Sequence, residues 1–285
     1  MPSTNPARQN RLLSVLPPVD SQRFFSDLQP ISLPLRHVIQ AAAGPLDHVY
    51  FIESGVASIL TTMANGASIE VGMIGTEGMV GVSALFGAEV SSQNVIIQVA
   101  GTVLRMNTAR CREAFNQSAE VRNVILRFAD SLFDVSAQTA ACNRLHSIEQ
   151  RCARWLLMAR ARHTSDIIPM THEFLASMLG VRRAGVSETA GELQRSGLIR
   201  YHHGKVTIVD REGLEAAACE CFALDRDRLD RLLSMPPKIF TLLFASGQKN
   251  PTLMAFPKGL KEPGGIDERP ASGLVLGSPE LEPPG

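Results

Sequence analysis

A chain of 285 residues can hold two hydrophobic cores plus tails, and 45% hydrophobic content with mean hydropathy +0.04 matches an ordinary soluble protein. No run approaches the roughly 18 apolar residues of a membrane helix. The polar opening MPSTNPARQN also lacks the apolar core of a secretory signal, so a cytoplasmic location and no membrane partner are expected. Formal charge is zero, but residues 37–104 contain no Lys or Arg beside Asp47, Glu53, Glu70, Glu77 and Glu89, whereas residues 151–210 carry nine cations against five anions, a net +4. An acidic front and a basic back imply separate tasks, with a polyanion as partner of the second.

Residues 1–20 read as loose, and residues 21–30 as a short helix. From 35 to 106 short strands follow at close spacing: Val49–Ile52, Val56–Thr62, Ser68–Val71, Asn94–Val99 and Thr102–Met106. Asn65-Gly66 predicts a two-residue type I′ hairpin turn, which needs positive φ at both positions. Evenly spaced short strands imply a small barrel or roll. Residues 108–146 switch to helical periodicity. Val121, Ile125, Phe128, Leu132, Val135, Thr139 and Cys142 alternate at spacings of four and three, the seam of a coiled coil, and predict a dimerising helix. A further helix is expected over 147–162. Residues 236–285 hold nine of the seventeen prolines and read as a disordered tail.

Five cysteines, Cys111, Cys142, Cys152, Cys219 and Cys221, show no C-x2-C pair, so neither a disulfide framework nor a metal site is expected. Cys219 and Cys221, on one helix, would point about 200° apart and could not share an ion.

Thr171 opens a helix as its N-cap, with Glu173 in the first turn; Phe174, Leu175, Met178 and Leu179 form its buried face and Gly180 its left-handed end. Val181 enters a turn, and a second helix, 183–196, buries Val186, Ala190 and Leu193 while turning Arg183, Ser187, Glu188 and Arg195 outward. That is a helix-turn-helix. Gly197–Tyr201, the turn His202-His203-Gly204 and Lys205–Val209 add a β-wing. The residues expected to meet DNA are Thr171, His172, Arg182, Arg183, Ser187, Glu188, Arg195, His203 and Lys205.

Leu175-Ala-Ser-Met-Leu-Gly-Val-Arg-Arg, Leu193-Gln-Arg-Ser-Gly-Leu-Ile199 and Ile208-Val-Asp-Arg-Glu-Gly-Leu214 together resemble the Crp/Fnr superfamily of bacterial transcription regulators. The resemblance covers residues 20–222 and implies an α+β chain. A double-stranded β-helix (jelly-roll-like) sensor at 21–107 would lead into a dimerisation helix at 108–146 and a winged helix-turn-helix at 147–222. It implies a homodimer on a palindromic operator, with RNA polymerase as a partner if the protein activates. Many members carry Arg-Glu-x-x-x-Arg at the start of the recognition helix. Here the corresponding stretch is Arg183-Ala184-Gly-Val-Ser-Glu188, so the operator should differ. Arg183 could bond guanine and Glu188 a cytosine amino group, or Arg183 could hold phosphate.

Cyclic-nucleotide members hold the phosphate with an arginine in the roll beside a Gly-Glu pair. Here Gly81 precedes Val82, and no cation lies between Arg36 and Arg105. Cyclic AMP is therefore not expected, although Gly75, Glu77, Gly78, Gly81 and Val82 mark where a ligand pocket would lie. With Cys111 the first cysteine, an N-terminal iron–sulfur cluster lacks ligands. His37 and His48 could hold haem, but a lone histidine in a β-domain is more often structural. No cofactor is predicted. Enzyme motifs such as a Walker loop, G-x-S-x-G or H-E-x-x-H are absent, and Glu77 with Glu89 is the nearest imitation of a carboxylate pair. The alternative is a cyclic-nucleotide-like ligand-binding module acting on a protein partner.

Overall fold

The computed structural model describes residues 9–16, 24–162 and 165–234. Eight strands form two antiparallel sheets: β1 (Gln29–Leu33), β8 (Gly101–Asn107), β3 (His48–Ile52) and β6 (Met79–Val80) in one, and β2 (Val38–Gln40), β7 (Asn94–Val99), β4 (Val56–Thr62) and β5 (Ser68–Ile74) in the other. Their facing sides enclose Phe51, Ile74, Met79 and Val103. β4 buries five successive residues from Val56 to Leu60, where a half-exposed strand would alternate. Both its faces are covered: Ala57 and Ile59 point into the roll, while Val56 and Leu60 join the core of the C-terminal unit.

Asn65-Gly66 does make the hairpin, but with a different turn. Only Gly66 has positive φ (+83°), and Gly66 N bonds Met63 O at 2.9 Å while Met63 N bonds Ala67 O at 2.8 Å. The Asn65 side chain accepts from Ala67 N at 3.0 Å, and the result is a type I turn closed by a glycine bulge. The expectation that the opening residues are loose fails for residues 9–16. A short helix, α1 (Arg11–Ser14), packs Leu12 and Leu13 on the roll, and buried Asn10 donates to Ile52 O and Gly78 O, both at 2.9 Å. The short helix expected over 21–30 is a single turn at 24–26 among the described residues, and the tail from 236 lies outside them.

The helix expected over 108–146 is two helices, α2 (Thr108–Gln117) and α3 (Ala119–Leu145). Ser118 breaks them with extended backbone (φ −109°, ψ 122°) and caps α3 by accepting from Val121 N at 3.1 Å. After His146, Ser147 and Gln150 form a reciprocal capping box that starts α4 (Ile148–Ala161). Then follow β9 (Ile167–Pro169), α5 (His172–Leu179), α6 (Arg183–Arg195), β10 (Ile199–His202), β11 (Lys205–Ile208) and α7 (Arg211–Ala217). β9 pairs with β11, making the wing a three-stranded sheet. The chain does not finish its packing at 222. α8 (Cys221–Ser234) returns along α3 and α4, and Asp225 forms a buried ion pair with Arg154, 2.6 Å from Nη2 and 3.2 Å from Nε.

Candidate nucleic-acid interface

The helix-turn-helix follows from local chemistry. Thr171 Oγ1 accepts from Phe174 N at 3.2 Å, and Gly180 ends α5 at φ +62°, a conformation that costs a side-chain-bearing residue about 1–2 kcal/mol. Val186, Ala190 and Leu193 of α6 are buried beneath α4 and α5. Arg182, Arg183, Ala184, Ser187, Glu188, Gln194 and Arg195 face solvent. Arg182 is the N-cap without a side-chain cap bond, so the first-turn amides of α6 lack a side-chain acceptor and point outward, where an anion can use them. The Arg183 side chain is 70% exposed and 3.9 Å from Glu173, a loose surface pair that leaves the guanidinium free to find another acceptor.

Tyr201 N donates to Gln194 Oε1 at 2.7 Å, tying the wing to the end of α6. The wing turn is the tight type expected earlier at Asn65: His203 and Gly204 have φ of +46° and +72° between paired His202 and Lys205. It presents His203 and Lys205 to solvent on the side of Thr171, whose Cγ2 lies 3.5 Å from the Cβ position of Gly204.

Two of the sequence-derived contact residues face each other. His172 Nδ1 meets Ser187 Oγ at 2.9 Å, and its ring lies 4.2 Å from that of Tyr201. Burial, then Arg183, lowers the His172 pKa, so the ring is neutral near pH 7. His172 braces α5 against α6 and the wing.

The expected dimer seam is corrected. Val121, Ile125 and Phe128 are buried in the core of their own roll, with Leu132 packed beside them. Val135 joins the C-terminal core, and Thr139 Oγ1 accepts from Arg154 Nη2 at 3.1 Å. Cys142 lies against Cys219. A seven-residue repeat marks any narrow buried seam, and here the seam is intramolecular. The exposed apolar residues of α3 are Leu126, Phe133 (74%) and Leu145 (74%), joined by exposed Ala137, Ala140 and Ala141.

The positions marked as a ligand pocket are filled by the chain itself. Arg162, the C-cap of α4, reaches into the glycine-rich loop and pairs with Glu77 at 2.5 Å, both side chains under 10% exposed. Glu77 Oε1 also accepts from Gly75 N at 3.1 Å. A Cβ on Gly75 would lie 2.8 Å from Arg162, and one on Gly78 2.5 Å from Phe128. Gly81 (φ +92°) packs on Val49, and Val82 starts a 3-10 turn. These residues do not fit a cyclic-nucleotide phosphate: the loop's carboxylate is already neutralised, and the space is occupied. The missing cation of the roll comes from the other unit, 85 residues away. Glu77 is thus an ion-pair partner, while Glu89 is exposed, so the two make no carboxylate pair. His37 and His48 join no ligand cluster among the described residues.

One further residue pairing escaped sequence reasoning. Trp155 Nε1 donates to Glu70 Oε1 at 3.0 Å in the buried seam between β5 and α4, and burial pushes the Glu70 pKa up from 4.5 to about 7.

The expectation of no metal-type cluster also fails. Cys219 lies in the turn ahead of α8 rather than on it, so its side chain escapes the helical divergence from Cys221. Both thiols meet Cys142 and His146. Hydrogen bonding from Cys219, chiefly, draws the Cys142 thiol down to about 5, and the Cys219 thiol is raised in turn.

Residues 30–118 match the sequence model of the cyclic nucleotide-binding domain, and residues 150–217 that of the Crp-like helix-turn-helix domain. The chain is 26% identical over 184 residues to the transcriptional regulator SdrP of Thermus thermophilus, spanning 61% of this chain and 86% of that protein. It is 24% identical over 200 residues to the CRP-like cAMP-activated global transcriptional regulator of Mycobacterium tuberculosis, spanning 67% and 88%. Among solved structures, FixK2 from Bradyrhizobium japonicum superposes with a TM-score of 0.59 at 13% identity, covering 67% of this chain and 98% of that one. TTHA1359, a CRP/FNR-family transcriptional regulator from Thermus thermophilus, gives 0.55 at 21% identity, covering 67% and 98%. The two structures share the fold, the two domain models fall on the roll and on the helix-turn-helix, and the chain belongs to the Crp/Fnr superfamily of transcription regulators.

Proposed function

We propose that the protein is a sequence-specific DNA-binding transcription regulator that works in the cytoplasm as a homodimer on an inverted-repeat operator, without catalytic activity. The observation that carries the reading is the solvent-facing row Arg183, Ala184, Ser187, Glu188 and Arg195. It lies on a helix about 20 Å long, held from behind by Val186, Ala190 and Leu193. Such a rod fits a major groove about 12 Å wide. In this reading Arg183 bonds a guanine edge and Glu188 a cytosine amino group. Arg182, the open α6 amides, Thr171, His203 and Lys205 hold phosphates on either side.

The homodimer reading moves to the exposed side of α3. Leu126, Asp130, Phe133, Ala137, Ala140 and Arg144 recur at spacings of four and three, all exposed, and the alanines let a second copy's helix approach closely. An effector would act by favouring the arrangement in which both recognition helices meet successive grooves. The Glu77–Arg162 and Glu70–Trp155 contacts are what such a change must remake. If the protein activates, RNA polymerase is its second partner.

Selection of bound fragments from random duplex DNA at a stated salt concentration tests the reading. The expected product is an inverted repeat with half-sites about 34–36 Å apart, bound more tightly than bulk DNA. Equal affinity for all duplexes would refute it.

A further inference from the structure

Four side chains with metal-ligand chemistry converge where α3 ends and α8 begins. Cys142 and His146 are one turn apart on the same face of α3, the second as its C-cap. Cys219 comes from the turn between α7 and α8, and Cys221 is the first residue of α8. Sγ of Cys142 and Sγ of Cys219 are 3.6 Å apart, as are Sγ of Cys221 and Nδ1 of His146, and all four atoms lie within 4.8 Å of one another. A disulfide needs sulfurs about 2.05 Å apart, so none joins these thiols. A tetrahedral ion with bonds of about 2.3 Å to sulfur and about 2.0 Å to nitrogen sets its ligands about 3.5–3.8 Å apart. The two 3.6 Å spacings already match that figure, and the widest in the cluster, up to 4.8 Å, must contract by about 1 Å.

We propose that Cys142, His146, Cys219 and Cys221 bind a single thiophilic divalent cation, zinc by preference, in a closed Cys3His site. The surroundings are those of a built site. All three cysteines are buried. His146 Nε2 lies 3.2 Å from Glu220 Oε1, which fixes the imidazole so that Nδ1 faces the thiols. Gln138 Nε2 donates to Cys221 Sγ at 3.0 Å, as amide groups do to metal-bound thiolates. Binding needs all three cysteines as thiolates, releases whatever thiol protons remain to solvent and leaves a site of net charge −1, with the buried Arg154 guanidinium held on Thr139, one turn before Cys142, at 3.1 Å. Four protein ligands leave no open position, so the ion is structural. It would clamp the end of α3 to α8 at the joint where the chain turns into α4. That this joint aims the recognition helix rests on the proposed function; the metal site does not.

The test uses the full-length reduced protein and needs no DNA, so its failure and the failure of the operator reading are separate. Mass-spectrometric metal analysis should find one zinc per chain. Stripping with chelator and titrating with Co2+ should give the visible ligand-field and thiolate charge-transfer bands of tetrahedral cobalt, saturating at one equivalent. Cys142→Ala and Cys221→Ala should lose zinc and cobalt bands, whereas Cys111→Ala and Cys152→Ala, which alter buried thiols elsewhere, should keep both. Circular dichroism reports whether each variant folds, and the wild-type titration stands without them. Trace metal only, with no cobalt bands, would overturn the proposal. Iron with acid-labile sulfide at these cysteines would also overturn it, because a cluster is not a single ion.

Discussion

Replacing Glu70 by Gln removes an ionisable group from the seam between roll and winged unit while keeping an acceptor for Trp155. The carboxyl is 7% exposed, its Oε1 is bonded to Trp155 Nε1, and its Oε2 has no hydrogen-bond partner. Burial raises its pKa from 4.5 to about 7. In the unfolded chain the group ionises at 4.5, so between that value and about 7 the folded protein keeps a proton that the unfolded chain has lost. Stability is therefore full below pH 4.5 and declines as pH rises to about 7. At about 1.4 kcal/mol per pH unit the loss is at most about 3.5 kcal/mol. Glu70→Gln cancels it, and should stabilise the protein by about 1–3 kcal/mol at pH 8 while matching wild type near pH 4.5. Trp155 is the only tryptophan, so its fluorescence during urea unfolding reads this seam directly. A Gln variant less stable than wild type at pH 8, or one with an unchanged pH slope, would refute the reasoning.

Arg183→Ala should weaken binding to the selected operator by about 1–3 kcal/mol and relax preference at one base pair in a gel-shift series, whereas Lys205→Ala should weaken all duplexes alike and flatten the salt dependence. Arg154→Ala leaves Asp225, whose carboxyl is already raised by burial, without its main partner; a loss of about 3–5 kcal/mol in urea unfolding is expected. Phe133→Glu should yield a folded monomer by sedimentation, while Phe128→Glu should unfold the chain, because only the second ring is packed in the roll. Arg162→Ala should speed amide exchange in the Gly75–Gly81 loop, since it strands the Glu77 carboxylate without its cation.

What was legible in the sequence was local. The Thr171 cap spans three residues, Gly180 carries its own conformational signature, and the buried every-second-residue series Val95, Ile97 and Val99 lies within β7. Two errors were also local in origin. Asn65-Gly66 satisfies a type I′ turn and a type I turn with a glycine bulge equally well, and the hairpin's register decides between them. Ser118 reads as an ordinary helical residue until its role as an N-cap breaks the helix. The α3 seam failed for another reason: periodicity reports that a stripe is buried, not which chain buries it.

The charge pattern shows the same limit in energetic form. A net +4 over residues 151–210 suggested a polyanion partner, yet three of those cations turn inward. Arg154 meets Asp225, Arg162 meets Glu77, and Arg151 donates to Leu179 O. These guanidiniums answer buried groups of their own chain, and the pairs lie 71, 85 and 28 residues apart, beyond any sequence window. Arg160 pairs with Asp166 at 2.5 Å, and what remains for DNA is the exposed set Arg182, Arg183, Arg195, Arg200 and Lys205, clustered on α6 and the wing. Placement, more than total charge, therefore carries the functional argument. The acidic roll and the basic winged unit are complementary at their joint, where Arg162 meets Glu77, and the winged unit keeps its exposed cations on α6 and the wing.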